Sequence, residues 1–328
     1  MSTPARVSFG VFALTLVLVG WLHLSTLLMA VLFSYFALSK LHGATRRWTA
    51  HKWPAVVLFV VAIVVVGYLA VHFIQAALVA LPNIAETSIP SVIAYARSHN
   101  IEVPFTDYAS LKDVVVDSVK AQAQHLGSAA TYARTATTQV VIFIIGVVVA
   151  ITLFFNNAID LDRGRHALAG NLYSACCDEI GVRFGTFYES FRIVIGAQVT
   201  ISSINTVLTA VFLLVVGLKY AAVLVGVTFL CGLLPIVGNL ISNTIIVCVA
   251  FLSSPGLALA ALVFLVLVHK FEYFLNSKII GNRIHNPVWL TLLGLVVGEH
   301  LMGVAGMILA PVVLNYIKME TSKIPGAE

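Results

Sequence analysis

Charge is scarce in this chain. Only 10% of its 328 residues are Asp, Glu, Lys or Arg, against about 25% in an ordinary globular domain. With 60% apolar residues and a mean hydropathy of +1.00, an ordinary soluble domain is excluded and a polytopic membrane protein is indicated. Cysteine is equally scarce: Cys176 and Cys177 adjoin one another, while Cys231 and Cys248 sit inside apolar runs. That spacing suits neither a zinc site nor a disulfide framework, so four free thiols are expected. H-E-x-x-H, G-x-S-x-G and the phosphate loop G-x-x-x-x-G-K-[ST] are all missing, which argues against an enzyme and against a metal or cofactor. The pI near 9.0 does not imply a nucleic-acid partner, because the basic residues cluster at helix ends, as membrane orientation requires.

What is present is a succession of apolar runs, at about 9–39, 54–81, 139–155, 191–218, 220–252, 257–271 and 287–317. The N-terminal run follows Arg6 and resembles a signal peptide, but it lacks a plain A-x-A site and precedes further spans, so a retained span is expected. Three runs, the first, fifth and last, are 31 to 33 residues long. As single helices of about 46 Å or more they exceed a hydrocarbon core of about 30 Å, yet they are too short to cross it twice. Each is interrupted: at Gly20-Trp21-Leu22-His23, across Gly232 to Asn239, and around Glu299. Each therefore reads as a hairpin of short helices or a re-entrant pair.

The segment Lys40 to Trp53 holds Lys40, Arg46, Arg47 and Lys52 and no acid, which places it in the cytoplasm. Orientation follows along the chain. Residues 1–81 form an N-terminal hairpin plus a span, 82–138 an extracytoplasmic excursion, 139–155 a span, 156–190 a cytoplasmic amphipathic segment, 191–318 a transport core, and 319–328 a cytoplasmic tail. In the excursion Leu111, Val114, Val115, Val119, Ala123 and Leu126 recur at helical spacing, predicting amphipathic helices. Leu168, Leu172, Cys176, Ile180, Phe184, Phe187 and Phe191 do the same, predicting a helix at the inner interface that runs into the next span.

Polar groups inside or beside these runs are the candidate chemistry. Pro235 lacks a backbone donor, and Gly232 and Gly238 permit unusual dihedrals, so the break that ends at Asn239 exposes backbone groups able to meet a cation or polar solute. Its alternative is a packed kink. Glu272 closes an apolar run beside His269 and Lys270, with Asn276 and Lys278 following. An acid there is paired, snorkelling or functional; Lys270 and Arg283 are the candidate partners. Glu299 and His300 suit a proton relay, or else the wet tip of a hairpin. Gln198, Asn205, Asn239 and Asn243 line a path or bind helices together. Asp178-Glu179-Ile180-Gly181-Val182-Arg183 approximates an intramembrane glutamate-protease pattern, but an i,i+4 pair between Glu179 and Arg183 explains it more cheaply.

Four motifs occur in fixed order: GLLPIVGN from Gly232, EYFLNSKIIG from Glu272 to Gly281, HNP ending at Pro287, and GVAGMILAP from Gly303 through Gly306 to Pro311. Together they resemble the C-terminal signature of the autoinducer-2 exporter family of bacterial inner-membrane proteins, over about residues 186–318. Ser277 stands where many relatives carry proline, which loosens that turn. The resemblance implies about eight hydrophobic segments, cytoplasmic termini and passive or ion-coupled export. Family members are associated with release of autoinducer-2 and with sodium or lithium exchange against protons.

The reading is thus an all-α membrane protein of the bacterial inner membrane, an exporter of a small polar molecule, with a monovalent-cation/proton antiporter as the alternative. Its expected partners are the solute or cation, the bilayer and, through glycine-rich spans such as 294–306, further copies of itself. The rival of another class is a structural or regulatory membrane protein that transports nothing.

Overall fold

The computed structural model describes residues 2–98, 129–156, 158–168, 170–234, 237–280 and 287–324. Among these the regular structure is helical: α1 Thr3–Trp21, α2 Ser25–Thr45, α3 Trp53–Ser98, α4 Ala129–Phe155, α5 Leu172–Val216, α6 Ala221–Gly232, α7 Val237–Ser253, α8 Pro255–Ile280, α9 Val288–Met302 and α10 Val304–Thr321. Seven of these helices contain windows long and apolar enough to cross a membrane. At most a third of any such window is buried within the protein, so the helices turn apolar side chains outward, as a bilayer-embedded chain must.

Local sequence sets the ends. Ser2 caps α1 by accepting from the Ala5 amide at 3.4 Å, with proline in the first turn. Asn171 accepts from the Ser174 amide at 2.8 Å as α5 begins, and Ser254 accepts from Leu257 at 3.1 Å ahead of α8. At the end of α5, Gly217 takes φ +69°, and Leu218 donates back to the Leu213 carbonyl at 3.1 Å.

The three interrupted runs are pairs of helices joined by short connections: α6/α7 and α9/α10, which pack along each other, and α1/α2, which make little contact with one another. Tight turns separate the first and last pairs, at His23 with φ 53° and at Gly303 with φ 61°. The last turn lies four residues beyond Glu299, so Glu299 and His300 close α9 rather than interrupt it. Two helices are far longer than a bilayer is thick: α3 with 46 residues and α5 with 45, about 69 and 67 Å. Helix α3 runs past residue 81 without a break, and α5 joins the amphipathic stretch 172–190 to the apolar run after Phe191 in one helix. The amphipathic pattern of residues 111–126 lies outside the described residues.

The chain divides into two compact units. The first comprises Met1–Val64, Thr137–Gly196 and Asn282–Glu328. Its core is aromatic: Phe12 meets Phe184, Phe187 and Tyr316 with ring centroids 4.6–5.4 Å apart, and Phe191 lies edge-on to Phe33. A buried polar link joins α5 to α10, where the Asn315 amide donates to Ser190 Oγ, which donates to the Val312 carbonyl, each at 2.8 Å. The second unit, Val65–Ala136 with Ala197–Gly281, packs Leu213, Leu224, Ile246, Val249 and Leu265 together, with Phe212 stacked on Phe264 at 4.2 Å.

Candidate functional site

In the second unit α5 carries Gln198, Ser202, Asn205 and Thr209 at intervals of four, three and four, which puts all four on one helix face. Ser202, Asn205 and Thr209 are buried. The upper two positions serve the end of α6: Gln198 donates to the Gly232 carbonyl at 2.6 Å, and Ser202 Oγ donates to the Phe229 carbonyl at 2.8 Å. These are last-turn carbonyls without intrahelical partners, the groups a broken helix leaves open. The approach is possible only because residue 232 is glycine, since a Cβ there would stand 2.4 Å from Ser202 Oγ. The return arm comes just as close: a Cβ at Gly238 would lie 1.7 Å from the Cys231 carbonyl oxygen. The break thus joins α5, α6 and α7 at one polar locus.

Glu272, on α8, completes that locus. Its carboxylate accepts from Asn239 Nδ2 at 2.8 and 3.0 Å and from Asn205 Nδ2 at 3.1 Å. His269 Nδ1 lies 3.6 Å away, and the carboxylate side chain is only 13% exposed. Both amides are neutral, so they orient and solvate the carboxylate without cancelling its charge. An acid taken from water without a fixed counter-charge costs several kcal/mol unless a proton or cation joins it. Among the described residues, Asn205 Oδ1 and Thr206 Oγ1 are buried without a partner. Two unspent oxygens of a kind that bind hard monovalent cations therefore occur in adjacent residues of α5.

The sequence-predicted residues separate clearly. Gly232, Gly238, Asn239 and Glu272 come together, and Asn205 and Gln198 join them. Lys270, an expected partner of Glu272, is not one; among the described residues its partners are two amides and an imidazole. Asn243 lies one turn farther along α7. Pro235, Gly281 and Arg283 lie outside the described residues, as does the side chain of Asn276 within α8. Ser202 was not legible from apolar runs alone, although its i+4 relation to Gln198 is a signal for it.

Glu299 and His300 belong to the first unit and are exposed at the end of α9. There the tips of the α1/α2 and α9/α10 hairpins enclose a cleft of about 160 Å3, lined by His23, Ser25, His300 and Gly303 among others. The remaining motif residues shape this second hairpin. Pro287 caps α9, Gly303 makes the turn, and Pro311 sits inside α10. Gly306 abuts Gly298 backbone to backbone, where a Cβ would stand 1.8 Å from the Gly298 carbonyl oxygen.

A third polar cluster in the same unit is structural. Arg183 pairs with Glu179 at 2.8 Å, as the i,i+4 spacing predicts, and also with Glu320 of α10, while its guanidinium lies 4.3 Å from the Phe9 ring centre.

Residues 8–324 match the AI-2E family transporter profile. The chain belongs to that family. The chain is therefore a multi-pass membrane protein of a transporter family. The chain is also similar to a Bacillus subtilis (strain 168) protein, the candidate transport protein YdbI, at 28% identity over 134 residues. That match covers 40% of this chain and 38% of YdbI, so the chain spans well under half of that relative's length.

Proposed function

We propose that this transporter exports a small polar solute, such as an autoinducer-2-like signal or a metabolite, through a path built at the α6/α7 break. Glu272 is its exchangeable charge. The observation that carries the reading is the Glu272 carboxylate, held by Asn205 and Asn239 and, among the described residues, met by no lysine or arginine. A carboxylate satisfied by neutral donors changes its net charge whenever a proton or cation arrives, and that is what coupling to an ion gradient needs. Antiport of sodium or lithium against protons is the second reading, favoured by the Asn205 side-chain oxygen, which has no partner among the described residues and belongs to an amide that holds that carboxylate.

The chain works in a bacterial inner membrane with both termini cytoplasmic, an orientation supported by the acid-free basic segment 40–53. In whole cells Ser98→Cys then reacts with a membrane-impermeant thiol reagent and Ala50→Cys does not. The reverse pattern inverts the assignment.

The decisive experiment is flux from proteoliposomes under imposed pH or sodium gradients. Wild type responds to a gradient, whereas Glu272→Gln at equal incorporation loses that response. Full gradient-dependent flux in Glu272→Gln removes this acid from the mechanism. Absence of flux under every gradient, for any polar solute tried, favours the rival structural or regulatory role.

A further inference from the structure

The connection between α2 and α3 carries two arginines that stand without carboxylates. Four other arginines meet carboxylates: Arg163 with Asp178, Arg165 with Asp162, Arg183 with Glu179 and Glu320, and Arg192 with Glu189. Arg46 and Arg47 are exposed and form no ion pair among the described residues. Nor is a nearby acid available in sequence, because the first acid of the chain is Glu86. Beside these two cations stand two exposed indoles, Trp48 at 86% and Trp53 at 66%.

The base of the connection is fixed. Lys52 Nζ donates to the Phe154 carbonyl at 2.7 Å, and Trp53 packs on Phe155 with centroids 5.0 Å apart. Trp48 and Thr49 donate their amides to the Thr45 carbonyl at 2.9 and 3.0 Å. This anchored turn presents Arg46, Arg47 and Trp48 outward.

Both flanking helices, Ser25–Thr45 and the first part of α3, are candidate spans, so the connection emerges where bilayer headgroups lie. Unneutralised guanidinium groups, planar forks of N–H donors, seek an anion that accepts two parallel hydrogen bonds, such as phosphate, and an indole at headgroup depth is a favourable anchor.

We propose that residues 46–53 form a docking surface for the phosphate headgroups of anionic phospholipids. Arg46 and Arg47 supply the charge and Trp48 the interfacial anchor. The surface selects phosphatidylglycerol-type over zwitterionic neighbours, which the exposed apolar faces alone would not.

The test uses the full chain in a Trp21→Phe/Trp289→Phe background, which leaves Trp48 and Trp53 as the reporters. It is reconstituted in mixed phosphatidylglycerol/phosphatidylcholine vesicles in which one lipid or the other is brominated, at equal mole fraction. Quenching by brominated phosphatidylglycerol is expected to exceed quenching by brominated phosphatidylcholine, with local enrichment on the order of fivefold per arginine. The preference falls toward parity in Arg46→Gln/Arg47→Gln, or in about 1 M salt, where the screening length shrinks to about 3 Å. Arg46→Lys/Arg47→Lys retains most of it. The reciprocal background Trp48→Phe/Trp53→Phe, reporting from Trp21 and Trp289, shows none. Equal quenching by the two lipids in the parent, or an unchanged preference after both arginines are neutralised, overturns the proposal. Size-exclusion profiles matched to the parent establish that each variant is folded.

Discussion

Two acids near the ends of apolar helices, Glu320 and Glu272, are held in opposite ways. Glu320, 3% exposed, lies against Arg183 and within 2.9 Å of Lys323 Nζ. Glu272, 13% exposed, lies against two asparagine amides. The first is an acid whose charge is cancelled by fixed cations, and it fastens α10 to α5. The second is an acid whose hydrogen bonds come from neutral amides and which, among the described residues, meets no lysine or arginine. Depth alone therefore does not mark a working carboxylate; the partners do. A cation fixes the charge state, whereas an amide leaves it open.

The strongest way to break this contrast is to remove Glu320. Glu320→Ala leaves the largely buried Arg183 guanidinium with Glu179 as its one carboxylate partner among the described residues, and a loss of about 1–3 kcal/mol is expected, read as a lower thermal midpoint in detergent. The paired change Arg183→Met/Glu320→Leu should recover most of it. If Glu320→Ala unfolds no more easily than wild type, the pair is not a fastener.

A smaller effect is expected at the other acid. Glu272→Gln keeps the hydrogen-bonding shape, so its thermal midpoint should stay near that of wild type while gradient-dependent flux falls at least tenfold, a difference of about 1.4 kcal/mol. Asn239→Lys sharpens the same point by supplying the missing cation. It should arrest flux without lowering stability, converting the site into a second fastener.

Next comes the break itself. Gly232→Ala pushes Ser202 from its bond to the Phe229 carbonyl and should cost on the order of 1 kcal/mol. Flux and thermal midpoint should fall together.

The smallest effect concerns Asp160, in the segment between α4 and α5. The Ser174 hydroxyl, donating at 2.6 Å, does most to hold its carboxyl below the ordinary value of 3.8, with His166 adding to the lowering against the opposing effect of burial. A depressed folded-state value means stability that is present above about pH 4 and lost as pH falls through the folded value. Ser174→Ala should therefore unfold slightly more easily than wild type near pH 6, and the gap should close below about pH 4. A gap that widens in acid contradicts the assignment.

Much of this architecture was legible because a break in a long apolar run is a local event. Gly20 to His23, the GLLPIVGN stretch and the GEHLMG stretch each announced a hairpin, and the turn after Glu299 moved only to Gly303. Glu272 was legible as an acid that closes an apolar run, and Asn205 and Asn239 as amides within such runs. Their convergence was not, because 67 residues separate Asn205 from Glu272 and 33 separate Asn239 from it. Only tertiary packing joins them. The same holds for Arg183: its helical neighbour Glu179 follows from spacing, whereas Glu320, 137 residues away, does not. Periodicity describes one helix at a time and is silent about which faces meet.

The Gly298–Gly306 apposition carries an evolutionary consequence. A Cβ on either residue meets the other's backbone carbonyl, at 2.4 Å from one side and 1.8 Å from the other. Most steric conflicts between residues can be relieved by a second mutation that trims the opposing side chain. Here the opposing atom is main chain, which no codon change can shorten. The pair is thus closed to compensatory drift. Any lineage that loses one of these glycines has to move the two helices apart rather than repair the contact.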